Sequence, residues 1–144
     1  MGSRNDHQPS NFHKTTTIGI TGTNGKTTVT DLTAAILEYS GSTLKTYKNF
    51  NNQIVLPLTI LGSEPSQPHH QPQLSWDPIQ YGVFEMGASK RGDIKELTEI
   101  ALPQIVALLN VSPAHLDSFK NIENILLTKE EILENQGYQK TVIL

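Results

Sequence analysis

The sequence lacks cysteine, is poor in charge and contains no long apolar run. Without cysteine, disulfide scaffolds, thiol nucleophiles and cysteine-ligated zinc are excluded. Charged residues make up 17%, and the net charge of -3 leaves no basic patch for nucleic acid. No apolar run reaches the ~18 to 20 residues that cross a bilayer, and no signal peptide is recognisable. We therefore expect a soluble cytoplasmic domain that binds neither nucleic acid nor a membrane.

Strand-like and helix-like segments alternate between two polar stretches. Residues 1–14 are predicted to be a disordered tail or a cloning remnant, and the proline-rich stretch 63–79 a flexible exposed loop. Strands are predicted at 16–21, 43–47, 81–86, 104–109 and 141–144, with helices beginning near 27, 57, 93 and 121. The pattern predicts an α/β fold, a mostly parallel sheet with helices on both faces. Because the last segment reads as an interrupted strand, 15–144 is expected to be a partial domain.

Local details of three helices are also predicted. In the first, Val29, Leu32, Ile36 and Tyr39 form an apolar stripe, and Gly41 caps the end. The helix starting at Asp93 is expected to have Glu96 as a capping-box partner. The helix from 121 is expected to end by 137, with an apolar face made by Ile122, Ile125, Leu126, Ile132 and Leu133.

The strongest motif is a glycine-rich turn between the first strand and the first helix. It consists of Gly22, Thr23, Asn24, Gly25, Lys26, Thr27 and Thr28. Such a loop directs main-chain N–H groups at a phosphate, with the lysine on the β- and γ-phosphates and the following hydroxyl on Mg²⁺. The strict P-loop pattern fails, because Ile20 stands at its first glycine position. The alternative is a tight strand–helix turn with a threonine cap; the strand–loop–helix context favours a nucleotide site.

Two further residues follow strands at the same expected edge of the sheet. Glu85 ends an apolar strand, where a carboxylate suits Mg²⁺, although it could simply be held by the next loop. His115 follows the fourth strand and is either functional or an ordinary surface histidine.

Lys129 lies within the apolar stripe of the last predicted helix, between Ile125 and Leu133. A lysine in such a stripe usually extends its ammonium to solvent. If it is held inside, desolvation lowers its pKa and leaves a neutral amine, which can react with CO₂ to form a carbamate. Periodicity alone favours the first alternative.

Taken together, these segments resemble the central ATP-binding domain of the Mur ligases. The resemblance is carried by IGITGTNGKTTVTDLTAAIL, NFNNQIVLPLTIL, VFEMGASKRGDI and NVSPAHLDSFKNIENILLTKEEIL. The phosphate loop alone would also fit folylpolyglutamate synthetases. The asparagine-rich segment, EMGA and AHLD point to the branch that adds D-Ala-D-Ala. Departures include Val55, where the family commonly has glycine.

The resemblance implies an ATP-dependent amide ligase of peptidoglycan synthesis that forms an acyl phosphate. It implies that Lys26 stabilises the γ-phosphate, that Thr27 and Glu85 hold Mg²⁺, and that His115 and carbamylated Lys129 serve a second Mg²⁺. Asn52, with Asn49 nearby, would contact substrate. The implied substrates are UDP-MurNAc-tripeptide and D-Ala-D-Ala.

The family also has an N-terminal and a C-terminal domain, for which this chain has no room. We expect the chain to bind phosphates without completing the ligation. A folylpolyglutamate-synthetase-like ligase and a non-catalytic nucleotide-binding module remain alternatives.

Overall fold

The computed structural model describes residues 15–46, 52, 55–60, 79–113, 121–134 and 141–143. The predicted tail 1–14, the loop predicted at 63–79 except Ile79, Asn49 and His115 lie outside the described residues. None of the described helices combines the length and apolar composition needed to cross a bilayer.

The described strands form one parallel sheet in the order β2-β3-β1-β4-β5. They are β1 (Thr16–Thr21), β2 (Thr43–Lys45), β3 (Tyr81–Glu85), β4 (Ile105–Leu108) and β5 (Thr141–Ile143). Ile18 of β1 aligns with Val83 on one side and with Ile105 on the other. The predicted fold class is confirmed. Because β1 is central, the loop that follows it lies between the loops that follow β3 and β4.

Helices cover both faces of this sheet. They are α1 (Lys26–Glu38), α2 (Val55–Ile60), α3 (Asp93–Ala101) and α4 (Ile122–Glu130), which continues into a 3-10 turn, Glu131–Leu133. Adjacent strand residues point to opposite cores, as the period of two requires. Val83 and Ala107 pack with Ala34 of α1, whereas Phe84 and Val106 pack with Leu56, Ile94, Leu97 and Ile132 from the other helices.

The apolar stripe predicted for α1 is not its buried face. Leu32, Ile36 and Tyr39 are 60–95% exposed, and the helix buries Thr30 and Ala34 instead. Thr30 follows Lys26 by one turn, so the face that carries Lys26 is the face packed on the sheet. The predicted cap is also different, because α1 ends at Glu38 with Tyr39 as C-cap.

The capping box predicted for α3 is wrong. Gly92 is the N-cap, and Asp93 is the first helical residue. The Asp93 carboxylate accepts hydrogen bonds from the main-chain N–H groups of Ser89 and Lys90, at 2.8 and 3.0 Å, while Glu96 is exposed. A capping box needs the side chain of the N-cap residue, and glycine at the N-cap has none to offer.

α4 begins and ends within the predicted bounds, but it is less regular than predicted. Its α-helical part ends at Glu130, and the 3-10 turn carries the chain to Leu133. Ile125 and Ile132 are buried as expected, but Ile122, Leu126 and Leu133 are exposed. Within the α-helical part the buried face is formed by Ile125, Thr128 and Lys129, which turns Ile122 and Leu126 toward solvent.

Candidate phosphate and metal site

Two glycines give the loop between β1 and α1 its shape. Gly25, the N-cap of α1, has φ of 83°, a left-handed conformation that glycine adopts without strain. Gly22 lies against the chain after β4, where an added Cβ would stand 3.1 Å from Cβ of Leu109. The turn therefore requires glycine at one position for conformation and at the other for space.

The loop opens onto the N-terminus of α1. The first N–H groups of a helix have no intrahelical acceptor, and the N-cap Gly25 has no side chain to supply one. The Lys26 ammonium lies over the loop, donating to the carbonyls of Gly22 and Thr23 at 3.0 and 3.1 Å. Main-chain N–H groups, the helix dipole and a lysine thus converge where an anion would bind.

Thr27 and Glu85 meet beside this helix end. The Thr27 hydroxyl donates to Oε2 of Glu85 at 2.7 Å, and Glu85 is only 2% exposed. The Glu85 main-chain N–H donates to Oγ1 of Thr46 at 3.1 Å, which fixes the end of β3.

These two side chains fit the requirements of Mg²⁺. Neighbouring oxygens of an octahedral Mg²⁺ with bonds of 2.0–2.1 Å stand about 3 Å apart, close to the observed hydroxyl–carboxylate distance. Among the described residues no group of three or more His, Asp or Glu side chains could hold a metal alone. Mg²⁺ with few protein ligands is typically completed by water and substrate phosphates.

Lys129 reaches the same loop from α4. It is 8% exposed, and its Nζ donates to the carbonyl oxygen of Gly22 at 2.8 Å. Lys26 donates to that same oxygen. Burial, and secondarily the charge of Lys26, lower the pKa of Lys129 from 10.5 to about 8. The lysine is therefore held inside, contrary to the alternative that periodicity favours.

The structure brings most of the predicted site residues to one edge of the sheet. The loop residues 22–28, Glu85 and Lys129 meet at the carboxyl ends of β1 and β3. Asn52 is exposed, and its carbonyl accepts the N–H of Leu56 at the start of α2. His115 and Asn49 fall outside the described residues, so their predicted roles stay predictions.

Sequence reasoning missed two residues that hold the loop, Asn110 and Ser112. The Asn110 side chain bonds both main-chain groups of Asn24, and the Ser112 N–H donates to Oγ1 of Thr23 at 3.0 Å. Both follow β4 directly, at the edge where ligands of open parallel sheets bind. Their place after a parallel strand, at this edge of the sheet, is the sequence feature that could have identified them.

Comparison with known proteins agrees with this geometry. Residues 20–144 match the model of the Mur ligase middle domain. UDP-N-acetylmuramoyl-tripeptide–D-alanyl-D-alanine ligase of Buchnera aphidicola is 38% identical over 88% of this chain, and that of Escherichia coli is 34% identical over 80%. The chain spans about a quarter of the length of these curated relatives, 25% and 23%.

A solved structure shows the same fold. The MurF ligase of Thermotoga maritima in complex with ADP superposes with a TM-score of 0.72 and 34% identity, over 90% of this chain and 28% of that one. Since the family match covers most of the chain, this protein belongs to the Mur ligase family, and the matched residues form its middle domain.

Proposed function

We propose that this chain provides the ATP-phosphate and Mg²⁺ site of a ligase that joins D-Ala-D-Ala to UDP-MurNAc-tripeptide. The names of the relatives support this branch over a folylpolyglutamate synthetase. Because the chain spans about a quarter of those relatives, the substrates and the flanking N- and C-terminal domains belong to the proposal. The proposal also includes the assignment of 15–144 to a partial domain. It includes a cytoplasmic location as well, since the reaction consumes ATP.

In the proposed reaction, the substrate carboxylate attacks the γ-phosphorus of ATP, and ADP leaves as the acyl phosphate forms. The amine of D-Ala-D-Ala then attacks the acyl carbon, the amide bond forms, and inorganic phosphate and a proton are released. The Lys26 ammonium and the N-terminus of α1 stabilise charge on the transferred phosphoryl group. Positioning by these groups supplies most of the catalysis.

Thr27 and Glu85 would hold the first Mg²⁺, which neutralises phosphate charge when bound. His115 would join a second Mg²⁺ site. Asn52 and Asn49 would contact the substrate carboxylate or the reacting phosphoryl group.

Lys129 would serve the second Mg²⁺ as its carbamate. With a pKa of about 8, roughly a quarter of its amines are neutral at pH 7.5, compared with about one in a thousand for an ordinary lysine. The neutral nitrogen attacks CO₂, a C–N bond forms, and loss of a proton leaves an anionic carbamate. This converts an ammonium, which cannot bind a cation, into an oxygen ligand.

One observation carries the proposal: Lys26, the N-terminus of α1 and the Thr27–Glu85 pair converge on a single loop. The test is calorimetric titration of the chain with Mg·ATP. We expect binding by the wild type and a loss of affinity of about a hundredfold in Lys26→Met, since a charge-assisted contact to phosphate is removed.

Lys95→Met is the matched control, because Lys95 is an exposed lysine on α3 and its loss changes the net charge equally. Absence of binding heat in the wild type, or equal losses in the two variants, would contradict the nucleotide site. For the substrates, phosphate release from ATP by the longer protein, with the proposed flanking domains, should require UDP-MurNAc-tripeptide and D-Ala-D-Ala together. Release with folate and glutamate instead would contradict that assignment.

A further inference from the structure

The segment after β4 forms hydrogen bonds with the phosphate loop through the side chain of Asn110. Its Oδ1 accepts the main-chain N–H of Asn24 at 3.0 Å, and its Nδ2 donates to the carbonyl of Asn24 at 2.9 Å. The two residues are 86 positions apart in sequence. One amide group therefore fixes both main-chain polar groups of Asn24, the N–H and the C=O, on either side of its Cα.

The main chain of the same segment adds a second set of bonds. The Asn110 carbonyl accepts the N–H of Thr23 at 2.9 Å. The Ser112 N–H donates to Oγ1 of Thr23 at 3.0 Å, and Nδ2 of Asn24 donates to Oγ of Ser112 at 3.3 Å. Two consecutive loop residues are thus tied to the end of β4.

These bonds determine which loop N–H groups remain for an anion. The main-chain N–H groups of Thr23 and Asn24 both donate to Asn110, one to its main-chain carbonyl and one to its side-chain Oδ1, so they are already used within the protein. The next residues, Gly25 to Thr28, form the N-cap and first turn of the helix, whose N–H groups lack intrahelical acceptors. By fixing the peptide groups at Asn24, Asn110 sets the direction from which the chain enters the left-handed turn at Gly25.

Only an amide side chain of this length makes both contacts. It has a donor and an acceptor on one planar group. At position 110, aspartate would place a second oxygen against the carbonyl oxygen of Asn24, where the two would repel. Alanine would remove both hydrogen bonds to the main chain of Asn24.

We propose that Asn110 is a positioning residue for nucleotide binding, which holds Asn24 so that the N–H groups at the start of α1 face the phosphates. It acts through the loop and does not itself contact the nucleotide. The inference rests on the proposed function, since it names what organises that phosphate site.

The experiment compares wild type, Asn110→Ala and Asn121→Ala by Mg·ATP titration and by amide hydrogen exchange. Asn121 is the matched control: its Oδ1 accepts the N–H of Asn124 at 2.8 Å, at the end of α4 opposite Lys129. Both variants lose an asparagine-to-main-chain hydrogen bond, but only one loses it at the loop.

We expect Asn110→Ala to bind Mg·ATP about tenfold more weakly, the factor that corresponds to one net hydrogen bond. Exchange of the Asn24 amide should accelerate at least tenfold. The Thr23 amide should change much less, because its acceptor is the main-chain carbonyl of Asn110, which alanine retains. Asn121→Ala should keep wild-type affinity.

Unchanged affinity in Asn110→Ala, with binding intact in the wild type, would overturn the inference alone. Equal weakening in the two variants would also overturn it, because a general loss of stability would then suffice. Absence of Mg·ATP binding by the wild type would overturn the proposed function and the inference with it.

Discussion

Helices α1 and α3 begin in the same way and end up with opposite surroundings. Each follows a parallel strand and a short loop, and each has a left-handed glycine as N-cap, Gly25 with φ of 83° and Gly92 with φ of 92°. The carbonyls of these glycines accept equivalent helical bonds, from Val29 and Glu96, at 2.9 and 3.0 Å.

The difference lies in what other segments bring to the two N-termini. At α3, the buried carboxylate of Glu131 accepts the N–H groups of Gly92 and Lys95, at 2.8 and 3.2 Å. At α1 no described carboxylate plays this part; the helix's own first residue, Lys26, and Lys129 from α4 both direct their ammonium groups at the carbonyl of Gly22. When a carboxylate of the protein accepts the N–H groups of a helix N-terminus, as at α3, those groups have a structural role. When ammonium groups lie near instead, as at α1, the N-terminus is a candidate site for an external anion.

The largest effect is predicted for removing the Glu131 carboxylate from the N-terminus of α3. Glu131→Ala should lower the free energy of unfolding by about 3 kcal/mol, because two N–H groups lose a charged acceptor in a buried place. Glu131→Gln, which keeps one acceptor oxygen, should lose about half as much. Urea denaturation measures both.

Glu134→Gln provides the control, since Glu134 is exposed just beyond the 3-10 turn, and it should stay within about 0.5 kcal/mol of wild type. If Glu131→Ala were as stable as Glu134→Gln, the carboxylate would not act as the cap of α3.

A second prediction concerns the buried cation near α1. The pKa of Lys129 is lowered to about 8 in the folded state, so between about pH 8 and 10.5 the unfolded chain binds the additional proton. Stability should therefore rise with pH in this window, and the cost of burying the charge is fully present below pH 8.

Measured by urea denaturation at pH 7 and pH 10, wild type should gain about 2 kcal/mol relative to Lys129→Met. Comparison with the methionine variant cancels the titration of other groups. A constant difference between the two proteins at both pH values would show that Lys129 has an ordinary pKa.

The smallest effects are predicted for replacing the two N-cap glycines, which separates the contribution of glycine to stability from its contribution to Mg·ATP binding. Gly25→Ala and Gly92→Ala should each cost about 1 kcal/mol of stability, because alanine is strained at positive φ and neither added Cβ meets a close neighbour. Only Gly25→Ala should also weaken binding of Mg·ATP. Calorimetric titration and thermal unfolding of the pair would show it, and equal effects on affinity would remove the distinction between the two helix ends.

Short-range patterns were sufficient to predict the fold class and the strand–loop–helix arrangement around residues 22–28. The alternation of strands and helices predicted the parallel sheet, and the Gly22–Thr28 segment contains its own turn, lysine and hydroxyl. The position of Glu85 beside the loop could be predicted because strand ends in a parallel sheet meet at one edge, whereas its role as a metal ligand stays a prediction.

The remaining features depend on contacts between distant parts of the chain. Glu131 caps a helix whose N-cap, Gly92, lies 39 positions earlier, and Asn110 holds Asn24, 86 positions away, so no local window contains either pair. The buried face of α1 was misassigned because its core positions are the small Thr30 and Ala34, while larger apolar residues such as Leu32 and Ile36 are exposed.

The central claim is that an external phosphate binds at α1 and not at α3. The most direct measurement is a titration of the ¹⁵N-labelled protein with Mg·ATP, followed by amide chemical shifts. The account predicts the largest changes at Gly25 to Thr28 and little change at Gly92 to Lys95, whose N-terminus is already occupied by Glu131. Changes of similar size at both helix ends, or none at Gly25 to Thr28, would contradict it.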